Sequence, residues 1–438
     1  MPDAVLLVEQ GDSFIFSWRR LAAAAGPGLL IAIAYVDPGN LESDLQTGAT
    51  TGFSLLWLLV VTTFLGFFVQ MQAARVGVAS GKNLAELCRH EYPRVPSLTL
   101  WVMTEVAIIG SDVQEVIGSA IAVALLSQGA VPLWAGALLS AGVSFLLLLV
   151  VEKAGVRQLE LLFAGLIGIM IATFGYMFAS ADVPMAEVAK GLVVPRLPRA
   201  YVPTAVALFG SLIMPHNIYL HSALVQTRGL QGASQRTKMS ALTYFGIESG
   251  VALVAATFIN IFVVGVFAAG FFKPDGPPPD IGLQNAGVFL GATYGSVVVT
   301  VWGVGLLAAG QSSTMTGTYT GQFVMSGWLD WKVSAWQRII VTRSVALVPT
   351  MAVALMMDPD STQLDRLNQG LNLLQSIQLP FALVPLLSIT GCQRLMGGLA
   401  MSGPGLAAAW AVAALVVCIN MSAVAEVATV WVSGGFRP

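Results

Sequence analysis

Charge is scarce in this sequence. Asp, Glu, Lys and Arg make up 10% of its 438 residues, against roughly 25% in soluble domains, which excludes an ordinary water-soluble globule. Cysteine is nearly absent: Cys88, Cys392 and Cys418 show no CxxC spacing, so neither a structural zinc site nor a disulfide framework organises the fold. No tract of Lys and Arg suits nucleic acid, and a net charge of −2 says little about partners. The N-terminus places Asp3, Glu9 and Asp12 before its first apolar run. That is the wrong sign for a signal peptide, so the run is expected to stay as a helix.

Hydrophobic residues fill the chain instead, at 56% of the sequence with a mean hydropathy of +0.78. Crossing a hydrocarbon core about 30 Å thick takes about 20 apolar residues. Eleven such spans read from the sequence, at roughly 22–51, 53–76, 98–126, 132–151, 159–180, 201–227, 240–270, 288–325, 337–357, 370–391 and 401–430. The eighth is expected to end before Ser326 and to contain a loop. Pro93, Pro96, Pro132, Pro195, Pro198 and Gly276-Pro277-Pro278-Pro279 punctuate the boundaries. With a cytoplasmic N-terminus, fourteen Lys and Arg fall on the inner side and six on the outer, which the positive-inside bias favours.

Two of these spans are interrupted. Asp37-Pro38-Gly39-Asn40 breaks the first and Met214-Pro215-His216-Asn217 the sixth. Lipid cannot satisfy a freed amide or carbonyl, so such breaks survive only where protein or a water-filled cavity does so. A pair of them at matching places in two halves points to a shared site at the bilayer midplane. The expected architecture is therefore all-α, an integral membrane domain over 1–438 with inverted repeats of five helices each. Residues 1–21 form a cytoplasmic segment, 22–180 the first repeat, 201–391 the second, and 401–430 an eleventh helix. Apart from Pro-x-Asn, no residue-level repeat accompanies the topology.

The residues at the breaks can hold a cation. Asp37 follows the apolar run Gly28–Val36, and charge at membrane depth is rare and faces a cavity. It can equally cap the helix that starts after Pro38, since Asp before Pro-Gly is good turn chemistry. Asn40 offers an amide oxygen, or a second cap. Met214 would pass for core packing anywhere else in a chain with 16 methionines. Its place in the opposite break gives the thioether another reading, because sulfur favours softer transition metals over magnesium or calcium. A backbone carbonyl freed by the break, such as that of Ser211, completes the set.

These motifs carry a family resemblance. DPGN at 37–40, MPHN at 214–217, GSDVQEVIGSA at 110–120, GQSSTMTGTYTGQFVM at 310–325 and the run from Ile377-Gln378-Leu379-Pro380 resemble the natural resistance-associated macrophage protein (Nramp) family over nearly the whole chain. Their wording is closer to the eukaryotic divalent-metal branch than to typical bacterial members. The resemblance implies a LeuT-like fold with helices one and six unwound, and proton-driven import of Mn²⁺ or Fe²⁺. Position by position it implies Asp37, Asn40 and Met214 as metal ligands and Ser211 as the source of a backbone carbonyl. Asn372 falls where many bacterial members have a glutamine that approaches the metal.

Protons are the expected second substrate. A divalent cation beside a carboxylate favours its ionised form, so metal arrival can expel a proton from Asp37. The route read here runs from Asp37 past His216 and Glu115 to Asp112 and Arg343, and the resemblance assigns the same positions. Asp112 and Glu115 share a helix face, although Asp112 with Arg343 can equally be a structural pair, and His216 a hydrogen-bonding residue of the break. Glu105, His221 and Glu248 are read as structural contacts. The hydroxyl-rich run Gln311–Thr318 is read as interhelical packing and cytoplasmic exit lining.

The function expected is a proton-coupled importer of divalent transition metals working by alternating access. It would need no cofactor, nucleic acid or obligate protein partner, and would sit in a plasma or inner membrane rather than an organellar one. An amino-acid/Na⁺ transporter of the same fold is the nearest alternative, but Asp37 would repel a substrate carboxylate. A non-transporting metal sensor is expected to carry a soluble output domain, and none follows Pro438 in the sequence. No nucleophile–base set supports an enzyme.

Overall fold

The computed structural model describes residues 16–154, 156–274, 276, 280–329, 335–356 and 363–432, and among them every regular element is a helix. In chain order the helices are α1 (Trp18–Ala24), α2 (Pro27–Ile33), α3 (Pro38–Thr51), α4 (Leu56–Ser80), α5 (Leu84–Glu91), α6 (Arg94–Leu126), α7 (Leu133–Ala154) and α8 (Val156–Ser180). They continue with α9 (Met185–Val193), α10 (Val202–Leu212), α11 (Pro215–Gln226), α12 (Gln235–Phe271), α13 (Ala286–Tyr294) and α14 (Ser296–Leu329). The last are α15 (Ala335–Met356), α16 (Gln363–Thr390), α17 (Gln393–Met396) and α18 (Gly403–Val432).

Each expected span has its helix or pair of helices. Seven described helices are long and apolar enough to cross a membrane singly: α4, α6, α7, α8, α12, α14 and α16. Spans one and six are the pairs α2/α3 and α10/α11, each half too short to cross alone. Span eight differs from expectation at its far end, because α14 continues through Ser326 to Leu329. The expected loop is a single-residue turn at Gly295, whose φ of 90° suits glycine and separates α13 from α14. Between the spans, α5 is fixed by a reciprocal cap in which Asn83 accepts from the Glu86 N–H and Glu86 accepts from the Asn83 N–H.

The packing centres on α6 against α14, with α12 covering α2, α3 and α4. Small residues permit the first contact. A Cβ at Gly310 would lie 2.1 Å from Ser119 Oγ, and one at Gly317 would lie 2.8 Å from Asp112 Oδ1. The glycines of the 310–317 run therefore bring α14 against the acidic face of α6. The hydroxyls of that run behave otherwise than expected. Ser312, Ser313, Thr316, Thr318 and Thr320 each donate to a carbonyl one turn back in α14 itself. An i−4 carbonyl is always within reach in a helix, so the hydroxyls need no neighbour. Among the described residues, interhelical bonding in this run falls to Gln311, whose amide nitrogen donates to Ser140 Oγ and whose oxygen accepts from Ser144 Oγ.

Candidate metal site

The first break follows from Pro38. With no N–H, it deprives the Ala34 carbonyl of the partner it would have in a continuous helix. Asn40 replaces that partner, its Nδ2 donating to the Ala34 carbonyl at 2.8 Å. The Tyr35 carbonyl is taken by Asn260 Nδ2 of α12 at 2.9 Å. Asp37 then caps α3, accepting from the Asn40 N–H at 2.8 Å. Capping uses part of a carboxylate with about four lone-pair sites, so the cap and ligand readings are compatible. Asn40 Oδ1 is buried and has no hydrogen-bond partner.

Pro215 acts likewise in the second break, removing the donor that would reach Ser211. Its carbonyl finds no side-chain substitute among the described residues, whereas the Ser211 hydroxyl donates to the Leu208 carbonyl. Ile213 and Met214 are extended between the two half-helices, with ψ of 83° and 130°. Neither break carries helical bonding through it. Because α10 packs on α3 and α11 on α2, the breaks lie beside each other. Asp37, Asn40, Ser211 and Met214 are all at most 2% exposed, so the site is buried. Among the described residues no three His, Cys, Asp or Glu side chains gather at a metal-like spacing.

Neighbouring helices add polar groups. Ser111 Oγ of α6 donates to Glu115 Oε1 at 2.8 Å and lies 4.0 Å from Met214 Sδ, which ties the second break to the acid of α6. Asn372 of α16 donates to the Gly39 carbonyl at 3.2 Å and to Ser43 Oγ at 2.8 Å, while its own oxygen accepts from Gln114. Asn372 thus braces the first break, with its oxygen engaged by Gln114. Gln375 donates to Gln114 Oε1 and extends the brace.

Asp37, His216, Glu115 and Asp112 of the expected proton route are buried. Glu115 Oε2 and His216 Nδ1 have no hydrogen-bond partner, and no direct bond links His216 to Asp37 or Glu115. Asp112 interacts with Glu115. The side chain of Arg343 lies outside the described residues. The residues read as structural contacts have hydrogen-bonded partners. His221 Nδ1 is 2.9 Å from Gln70 Oε1, and Glu105 accepts from Trp101 Nε1.

Glu248 has a defined task. Its carboxylate accepts from the N–H groups of Gly26, Gly28 and Leu29 at 2.7–2.9 Å, capping α2 from α12. A helix N-terminus favours an anion there. Beside it Arg228 donates to Glu160 at 2.6 Å and to the Ala25 carbonyl at 2.8 Å. Together they pin the start of α2. At the other end of the broken span, Glu42 of α3 accepts from the Leu283 N–H at 2.5 Å and Gln46 donates to the Ile281 carbonyl, clasping the loop before α13. Glu42, Asp44, Gln114, Glu160 and Arg228 are absent from the site read in the sequence. Glu42 and Asp44 were detectable as charges inside a span, whereas the partners of the others are 68 to 261 residues away.

The chain resembles known proteins over most of its length. The family model described as "Natural resistance-associated macrophage protein-like" matches residues 28–426. A metal transporter of Populus trichocarpa, Nramp3.2, is 51% identical over 419 residues, covering 94% of this chain and 82% of that protein. The crystal structure of the Eremococcus coleocola manganese transporter, in complex with an aromatic bis-isothiourea substituted compound, superposes with a TM-score of 0.84 at 29% identity, covering 96% of this chain and 89% of the other. At 15% identity and a TM-score of 0.65, covering 94% of each chain, the nucleobase-cation-symport-1 family transporter Mhp1 shares the fold, which is the LeuT-like one. The chain belongs to the Nramp family and is a multi-pass membrane protein that moves divalent metal ions across the bilayer.

Proposed function

We propose that this protein imports Mn²⁺ or Fe²⁺ together with protons by alternating access, binding the ion between the two breaks. Asp37, Asn40 Oδ1, Met214 Sδ and the Ser211 carbonyl are its ligands. The donor set carries the reading: one carboxylate, an unpartnered amide oxygen, a thioether and a carbonyl freed by Pro215. Carboxylate and carbonyl alone would suit magnesium or calcium, and the sulfur tilts the site toward softer ions. The manganese named for the Eremococcus coleocola protein is consistent with that choice. Asp37 gives up a proton when the ion arrives, and Glu115, tied through Ser111 to Met214, receives protons on the way to Asp112. His216 and Arg343 complete the route. Asn372 holds the first break in place during closure.

Opening requires the two pinned ends to release in turn. The Glu42 clasp opens to the outside, admitting the ion, and the Glu248 and Arg228 contacts at α2 open to the cytoplasm. The test is Mn²⁺ uptake into proteoliposomes that contain a pH-sensitive dye. Uptake accelerated by an inward proton gradient, with acidification of the lumen and its loss in Asp37→Ala, supports the reading. Wild-type uptake by Asp37→Ala, or uptake that leaves internal pH unchanged, refutes it.

A further inference from the structure

The helix that carries Asp37 holds more unpaired oxygen than the site above uses. Asp44 is fully buried, and neither of its carboxylate oxygens has a hydrogen-bond partner. Burial without a partner is costly in either protonation state, because an ionised carboxylate lacks compensation and a protonated one still carries an unplaced O–H. A lone acid at membrane depth implies something bound beside it.

Its neighbours along α3 indicate what. Positions 37, 40, 44 and 47 step by three, four and three residues and so share one face of the helix. On that face Asn40 Oδ1 and Thr47 Oγ1 are also buried and unpartnered, while Asn40 Nδ2 is occupied by the Ala34 carbonyl. The stripe presents a carboxylate, an amide oxygen and a hydroxyl. Among the described residues no cationic side chain pairs with Asp44, and the like charge of Asp37 lies within its electrostatic reach. An anionic, all-oxygen stripe of this kind suits a divalent cation.

We propose that Asp44, with the Thr47 hydroxyl, forms a second divalent-cation site on the side of Asp37 away from α2, where an ion pauses before reaching Asp37 and Asn40. Seven residues at about 1.5 Å each separate the two acids by about 10 Å along α3. Direct ligation at about 2.0–2.6 Å cannot span that distance, so the two acids hold separate ions. The inference rests on inward metal transport through Asp37, because the outward-facing end of α3 is then the end an ion meets first. Asp44 is hard where the Asp37 site is mixed. The first site therefore gathers divalent ions without sorting them, and selection falls to Met214.

The experiment titrates Mn²⁺ into the purified full-length protein, following free Mn²⁺ by electron paramagnetic resonance. Asp37→Asn is expected to retain one weaker Mn²⁺ site, and Asp37→Asn/Asp44→Asn to bind it at least tenfold more weakly still. Asp44→Asn alone is expected to raise KM for Mn²⁺ uptake about tenfold with little change in the saturated rate. Absence of Mn²⁺ binding to Asp37→Asn while the wild type binds overturns the second site and leaves the transport reading standing. Absence of binding to the wild type overturns both. If the Asp44→Asn variants do not fold, Thr47→Val in the Asp37→Asn background reads the same position: weakened residual binding supports the site, and unchanged binding overturns it.

Discussion

Glu248→Gln should loosen the first half of broken helix one without touching the metal ligands. The carboxylate receives the Gly26 and Leu29 N–H groups on Oε1 and the Gly28 N–H on Oε2, at 2.9, 2.7 and 2.8 Å. An amide can keep its oxygen in the Oε1 position, but its NH₂ then faces the Gly28 N–H, donor against donor. Leaving that buried N–H unbonded costs about 1–3 kcal/mol. Removing the charge from the α2 N-terminus costs about 0.3–1 kcal/mol more, and up to about 2 in a partly buried site. Gly26 offers no cap side chain of its own to compensate. Together the loss is about 1.3–5 kcal/mol, which at about 1.4 kcal/mol per tenfold raises the open population of α2 roughly 10- to 4000-fold. Amide hydrogen exchange read by mass spectrometry on the peptide covering 26–33 should accelerate within that range, while α6 and α14 exchange as before. Unchanged exchange in that peptide would refute the claim that Glu248 holds α2 shut.

Two further substitutions probe the site and its packing. Met214→Ala should retain part of the Mn²⁺ uptake but lose rejection of Ca²⁺ and Mg²⁺, since only the sulfur distinguishes the donor set from an oxygen site; an unaltered selectivity profile in liposome competition assays would contradict this. Gly310→Ala places a methyl 2.1 Å from Ser119 Oγ and 3.0 Å from the Glu115 carbonyl. Overpacking of that kind costs about 1–3 kcal/mol, so the melting midpoint in detergent should fall, and an unshifted midpoint would mean that α6 and α14 do not meet so closely.

The two breaks were legible in the sequence because proline acts locally. Pro38 and Pro215 remove the donors to Ala34 and Ser211 whatever the rest of the chain does, and the half-helices start at these two residues. The span pattern was legible for the same reason, being set by hydropathy over about 20 residues. What the sequence hid depends on which distant side chain meets which. The hydroxyls after Gly310 look like glue between helices, yet they bond within α14, and the contact with α6 comes from the glycines among them. Arg228 reads as one more inner-side cation until Glu160 and the Ala25 carbonyl are found against it. Asn372 reads as a residue approaching the metal, and its hydrogen bond from Gln114, 258 residues away, appears only in three dimensions. Asp44 needed no distant information, since it sits two turns beyond Asp37 on the same face; its unpartnered oxygens are visible only in three dimensions.

Diffraction from crystals soaked in Mn²⁺, collected for anomalous scattering, asks the central question directly. The account predicts a dominant peak between the two breaks, within ligand distance of Asp37, Asn40 Oδ1, Met214 Sδ and the Ser211 carbonyl, and its disappearance in Asp37→Ala crystals. A dominant peak bound elsewhere, with both breaks empty, would contradict it.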